Sequence, residues 1–304
     1  MTIRTGLRRF SAVATEIPRI HYREGLESGF MDDYESAIES FDRVNYITVG
    51  SSYWTRQSQY YKANAYSQLE QYEKAIEEYK KLLATDKKNS ACWVNLGASY
   101  VDLEKFDEEA LSCFDKAIEL ENKKKNPDKI ILEIAWSNRG TIFLAQEDER
   151  LANDNDYLDL VEQCVNEILK LEPESQDGLS LKTALLWMQE KNDEAIENDK
   201  KLCKIDPDSW ENWNSLATAY STVNNVDEAL KYFQKAIEIQ PNEDLPWYNK
   251  ACMLSRMNRM DDALDALLVA ISIAPENLSG LSEESDFENI KNSERFKKFL
   301  TIPV

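Results

Sequence analysis

Residues 207–241 read PDSWENWNSLATAYSTVNNVDEALKYFQKAIEIQP. In the first half Trp213, Leu216, Ala217 and Tyr220 are separated by three, four or seven positions, the spacing of side chains on one helical face. Ala229, Phe233 and Ala236 repeat that spacing in the second half. Between them, Ser221 to Val226, with adjacent Asn224 and Asn225, has the chemistry of a turn. The stretch therefore predicts two short amphipathic helices folded antiparallel. Small residues at Ala217, Ala229 and Ala236 let the axes approach, while Trp213, Tyr220 and Phe233 fill the space beside them. Pro241 cannot continue the second helix and sets where the next unit begins.

The stretch is one period of a longer pattern. Pro173, Pro207, Pro241 and Pro275 are each 34 residues apart, and Ala195, Ala229 and Ala263 keep the same step, as do Trp213 and Trp247. A 34-residue repeat of helix–turn–helix units resembles the tetratricopeptide repeat (TPR) family. That resemblance implies an all-α, right-handed α-solenoid of about seven TPR helix pairs with a C-terminal capping helix.

Working outward, the seventh unit shows Trp247, Ala251, Leu254, Ala263, Leu267, Ala270 and Pro275. The fifth keeps Ala195, Leu202 and Pro207, with Leu179 where its neighbours have Trp. The fourth opens with Trp136, Gly140 and Phe143 and returns to register near Val161 to Pro173, so it carries an insertion. The third shows Trp93, Leu96, Gly97, Tyr100, Ala110, Phe114 and Ala117, with one extra residue in its turn. The second shows Ala63, Tyr66, Leu69, Tyr72, Ala75 and Tyr79, and the first Gly25, Tyr34, Ala37 and Phe41. The resulting division is 1–17, an N-terminal basic cap or targeting segment; 18–120, repeats one to three; 121–132, a charged link; 133–277, repeats four to seven with an acidic insertion at 146–156; and 278–304, a C-terminal capping segment. Link and insertion read as surface loops. A calcium loop at Asp154, Asp156 and Asp159 lacks the glycine and distal glutamate it would need.

The tail, SGLSEESDFENIKNSERFKKFL, places Leu281, Phe287, Ile290, Phe296 and Phe299 or Leu300 at apolar positions. It resembles the D-F…R-F tails that follow TPR arrays, and is expected to cover the open apolar end of repeat seven. The alternative is a tail that dimerises or binds a partner. At the other end, MTIRTGLRRFSAVATEIPRI carries four arginines and one acid. It is expected to cap repeat one through Ile3, Leu7, Phe10, Val13 and Ile17, or alternatively to act as an organellar transit peptide.

Composition narrows the function. With 36 Lys+Arg against 56 Asp+Glu the net charge is -20, a field that repels nucleic acid and anionic lipid. No apolar run approaches the ~18 residues of a membrane span. Five cysteines (Cys92, Cys113, Cys164, Cys203, Cys252) lie far apart, which reads as reduced thiols on helices and a cytoplasmic setting. His21 is the only histidine, and no Gly-rich phosphate loop, G-x-S-x-G or H-E-x-x-H is present. The sequence implies no enzyme, no cofactor and no metal site.

The resemblance implies protein binding. In TPR proteins the first helices of successive repeats line a concave groove for extended peptides or a partner helix. The equivalent positions here are Tyr22, Tyr60, Asn64, Asn95, Asn138, Trp187, Asn214, Tyr248 and Arg256. Amides can bond a peptide backbone in both directions, and Tyr and Trp add contact area at little rotamer cost. Some family members clamp the acidic tails of the Hsp70 and Hsp90 chaperones with lysines. Here Asn64 and Asn95 match that clamp, but Tyr60, Ile134 and Asn138 stand where its cations belong. The expected ligand is a basic or neutral segment held by a scaffold or adaptor; the alternative is a structural subunit that oligomerises through its tail or convex face.

Overall fold

The computed structural model describes residues 3–48, 53–103, 108–145, 156–275, 281, 285–288, 290–291 and 293–299; the side chains of 3–16, 156 and 299 lie outside that description. All described regular structure is helical. Two compact units divide the chain, Met1–Pro173 and Glu174–Val304. The first holds α1 (Ile3–Phe30), α2 (Tyr34–Ile47), α3 (Tyr53–Gln68), α4 (Tyr72–Thr85), α5 (Ser90–Asp102), α6 (Glu108–Asn122), α7 (Lys129–Ala145) and α8 (Asp156–Leu171). The second holds α9 (Gln176–Met188), α10 (Asn192–Ile205), α11 (Trp210–Thr222), α12 (Val226–Ile239), α13 (Asp244–Arg256) and α14 (Met260–Ile273). A 3-10 turn (Ser285–Phe287) and α15 (Glu294–Phe299) follow. Within each unit every helix packs on its hairpin partner, and each pair packs on the next through the second helix of one and the first helix of the other. These are the seven helix pairs the period predicts, four stacked in the first unit and three in the second, each stack of the α-solenoid kind.

The turn inside each pair explains part of the register. Glu190, Asn224 and Asn258, each 34 residues apart, adopt left-handed backbone with φ near 57–58°, as does Glu70 at 56°. The next residue then donates its N–H back into the helix: Lys191 to Leu186 O at 2.9 Å, Asn225 to Tyr220 O at 2.8 Å, Arg259 to Leu254 O at 2.9 Å. This is the Schellman closure that satisfies the last carbonyls of a helix. Asn225 also accepts from Glu228 N and so caps the second helix.

The Trp/Pro register has its own hydrogen bond. Trp213 Nε1 donates to Pro207 O at 2.8 Å and Trp247 Nε1 to Pro241 O at 3.4 Å. Trp93 makes the same bond to Lys87 O at 3.0 Å. Each indole thereby ties its helix to the turn that precedes it. Close packing sets the small positions: a Cβ added at Gly97 would lie 2.8 Å from the Phe114 ring, and one at Gly25 2.6 Å from that of Phe41.

The link between the third and fourth pairs is anchored at its base. Glu121 is fully buried and accepts from Ser90 Oγ, from Lys124 Nζ and, at 2.8 Å, from Asp128 N. Burial pushes its carboxyl up, but these donors outweigh it and hold the value below normal. Residues 122–130 are exposed, and α7 starts at Lys129. The insertion at 146–156 lies outside the described residues except for the backbone of Asp156 at the start of α8, and residues 104–107 of the third turn are outside as well. So are Asp154 and the Asp156 side chain of the calcium motif, and, for the expected cap, the side chains of Ile3, Leu7, Phe10 and Val13. Ile17 is exposed, and α1 runs unbroken through Pro18.

The tail docks on the last pair. Leu281, Phe287, Ile290 and Phe296 are buried in one cluster with Ala251, Leu254, Leu264 and Leu267. The charged neighbour of each Phe pins it: Asp286 pairs with Arg256 at 3.3 Å, and Arg295 pairs with Asp265 and, at 3.5 Å, with Asp261. All five cysteines are buried free thiols. Burial pushes Cys113, Cys203 and Cys252 up to about 12, well outside the range of a reactive thiolate. No described helix is long and apolar enough to cross a membrane.

Candidate functional site

First helices of successive pairs pack on one another, α1 on α3, α3 on α5 and α5 on α7, and in the second unit α11 on α13. The face they form is where the groove residues were expected. In the first unit three of them meet. Asn95 Nδ2 donates to Asn64 Oδ1 at 3.0 Å and to Tyr60 Oη at 3.1 Å. The Tyr79 hydroxyl, from α4, donates to the same Asn64 oxygen at 2.6 Å. Burial raises both phenols above their ordinary range, so they stay neutral donors and acceptors. The cluster fixes Asn64 and Asn95 without using up either amide. Asn64 Nδ2 shares an N–H with the Tyr60 hydroxyl and keeps its second, and Asn95 Oδ1 accepts no hydrogen bond among the described residues, so a donor and an acceptor stand side by side. A peptide backbone offers the complementary acceptor and donor.

Tyr22 and Asn138 do not join this cluster. Tyr22 packs in an aromatic knot, its ring 5.3 Å from Trp54, 5.9 Å from Tyr61 and 6.0 Å from Phe41. Its role is to hold α1 to α2 and α3. Asn138 donates to Ile134 O, one turn back on its own helix, at 2.9 Å.

In the second unit Asn214 and Trp187 line one recess of about 500 Å³. Asn214 Oδ1 accepts from Asn249 Nδ2 at 3.2 Å, joining α11 to α13. Asn249 follows Trp247 as Asn95 follows Trp93, so the register would have pointed to it, as it would to Tyr79. Tyr248 and Arg256 are taken by the chain's own tail. The Tyr248 ring meets Phe287 edge-on at 5.7 Å. Arg256 bonds Ser221 Oγ at 2.9 Å as well as Asp286. The tail thus packs against two of the positions expected to line the groove.

Lys62, on the same helix as Tyr60 and Asn64, is already paired. It is buried, 2.6 Å from Asp42 and 3.5 Å from Glu78. Burial alone would lower its pKa, but the two carboxylates outweigh that and raise it.

Comparison with known proteins agrees with the helix-pair fold. The tetratricopeptide repeat model matches residues 210–243, a second tetratricopeptide repeat model matches 232–265, and the model of anaphase-promoting complex (cyclosome) subunit 3 matches 31–117. No curated protein matches the chain in sequence. Among solved structures, a tetratricopeptide repeat protein from Parabacteroides merdae is similar over 94% of this chain and 98% of its own, at 15% identity and a TM-score of 0.68. PilF of Pseudomonas aeruginosa is similar over 77% of this chain and 96% of its own, at 15% identity and a TM-score of 0.60. At such identities the likeness speaks to fold alone. Two tetratricopeptide repeat models and the helix pairs stacked within each unit agree: the chain is a member of the tetratricopeptide-repeat family.

Proposed function

We propose that the protein is a non-enzymatic scaffold whose first-helix face holds an extended segment of another protein. The supporting observation is the Tyr60–Asn64–Asn95 cluster, which leaves one amide donor and one acceptor of fixed position between α3 and α5. Such a pair bonds a backbone without demanding a particular side chain, so selectivity has to come from charge and from the surrounding rings. The net charge of -20 favours a basic or neutral segment over an acidic chaperone tail, a nucleic acid or an anionic membrane. Five buried free thiols favour the reducing cytoplasm. Oligomerisation through the tail would require withdrawing Phe287, Ile290 and Phe296 from the core they complete.

The test is selection of unstructured peptides by the full chain, followed by affinity measurements on Asn64→Ala and Asn95→Ala. Each amide bond lost should weaken binding about fivefold to tenfold. Unchanged affinity in both variants would remove the first-helix face as the binding site.

A further inference from the structure

The fifth pair breaks a rule that its neighbours keep. In five other pairs a small residue on the first helix is in register with a large apolar residue on the second: Gly25 with Phe41, Ala63 with Tyr79, Gly97 with Phe114, Ala217 with Phe233, Ala251 with Leu267. Those large side chains are at most 2% exposed. At the same two positions the fifth pair has Thr183 and Asp199. Asp199 is 1% exposed, so a carboxylate occupies a site that those five pairs fill with a ring or a leucine and the fourth with Val165.

Its surroundings do not neutralise it. Thr183 Oγ1 donates to Asp199 Oδ1 at 2.9 Å and Ser215 Oγ to Oδ2 at 3.3 Å. Asn198 Nδ2 donates to Thr183 Oγ1 at 2.9 Å, and Asn198 Oδ1 is buried without a partner. No ion pair to Asp199 forms among the described residues; its chain neighbour Lys200 turns to Glu197 at 2.6 Å. A buried charge held only by hydroxyl dipoles is costly, and a cation placed against it would recover much of that cost. The carboxylate lines the recess of about 500 Å³ described above, together with Thr183, Ser215, Trp187, Trp210 and Asn249. The other charge in its wall is Glu211, also negative, and no Lys or Arg is among its lining residues. Indole walls suit an organic cation, because the ring faces carry negative charge.

We infer that this recess receives one basic side chain, a lysine ammonium or an arginine guanidinium of the bound segment, with Asp199 as its counter-ion. The inference rests on the segment-binding reading above and adds an anchor in the second unit. Thr183 and Ser215 hold the carboxylate in place, and Asn214 and Asn249 bridge α11 to α13 at the rim. Burial pushes Asp199 up to about 6, so the anchor is charged at neutral pH and is lost on mild acidification. The titratable groups around it are Glu211 from α11 and Cys203 from its own helix; none from α9 or α13 lines the recess.

The experiment follows the indole N–H signals of Trp187 and Trp210 in the full chain by NMR. The probes are the capped amino acids N-acetyl-lysine methylamide, its arginine analogue and its norleucine analogue. Saturable shifts are expected with a basic probe and not with norleucine. Affinity should fall tenfold or more in Asp199→Asn, which keeps the shape and can still bond both hydroxyls. In the wild type the basic probe should weaken by a similar factor from pH 7 to pH 5, a readout that needs no variant. Shifts that are absent, equal with norleucine, or indifferent to both Asp199→Asn and pH would overturn the anchor. Such a result leaves peptide binding at Asn64 and Asn95 untouched, so the two readings fail separately.

Discussion

At the residue scale Asp199 also sets a pH signature of stability. An ordinary aspartate titrates near 3.9, whereas burial raises Asp199 to about 6 in the folded chain. Between those values the folded state binds more protons than the unfolded one, so this group's contribution to stability falls as pH rises from about 4 to about 6, then levels off. The sign is opposite to that of a salt-bridged carboxylate. Asp199→Asn should therefore be more stable than wild type at pH 7, by on the order of 2 kcal/mol, with the difference vanishing near pH 4. Urea denaturation at both pH values checks this, and a variant less stable at pH 7 would contradict it. The left-handed turn residues give a second prediction. Glu190 at φ 58° carries a Cβ where glycine would be unstrained, so Glu190→Gly should raise stability by about 1 kcal/mol. A lower urea midpoint would count against it. Asp199 was readable in principle, since it stands on the Phe233–Leu267 step, but a consensus search rewards matches and passes over a departure. Tyr60, Asn64 and Asn95 were readable because their partners are one repeat away in the same register. Tyr22, Tyr248 and Arg256 hold the right register positions too. Their partners lie outside the period, in the aromatic knot of the first pair and in the tail, and so the period alone does not give their contacts.

At the element scale the tail shows how a repeat array ends. On the seventh pair, Phe287 and Phe296 supply apolar surface of the kind that a following pair brings elsewhere in the array. Phe287→Ala or Phe296→Ala should each destabilise the second unit by about 3–5 kcal/mol through the cavity left behind. Arg295→Ala should cost under about 1 kcal/mol, because its ion pairs with Asp261 and Asp265 are exposed. Thermal unfolding that ranked these variants in the reverse order would contradict the cap. Within a pair, Gly97→Ala pushes a methyl into the Phe114 ring and should cost about 1–3 kcal/mol. The tail was legible as alternating apolar and charged residues, while its docking surface was not, since Asp286 finds Arg256 across about thirty residues of chain. The charged link at 121–132 read as a plain surface loop. Its buried Glu121 anchor escaped notice because Ser90 and Asp128 come together only once α5, α6 and α7 are packed.

At the scale of the whole molecule the 34-residue step decided the fold, because each pair needs only its neighbours and the local pattern is the global one. Function is less local. A face built from one position per repeat has chemistry only after the pairs are stacked and the chain's own tail has taken its share. What remains is a strongly acidic protein with paired amides between α3 and α5 and a buried carboxylate facing a recess beside α11. The amides take a backbone of any sequence, and the net charge and the carboxylate favour a segment carrying positive charge. The most direct test is the affinity of library-selected peptides for the full chain between about 50 mM and about 500 mM salt, where screening shortens from beyond 10 Å to a few ångströms. The expected result is selection of basic or neutral segments, with the basic ones losing tenfold or more in affinity as salt rises. Selection of acidic segments, or basic segments whose affinity is flat across that range, would contradict the account.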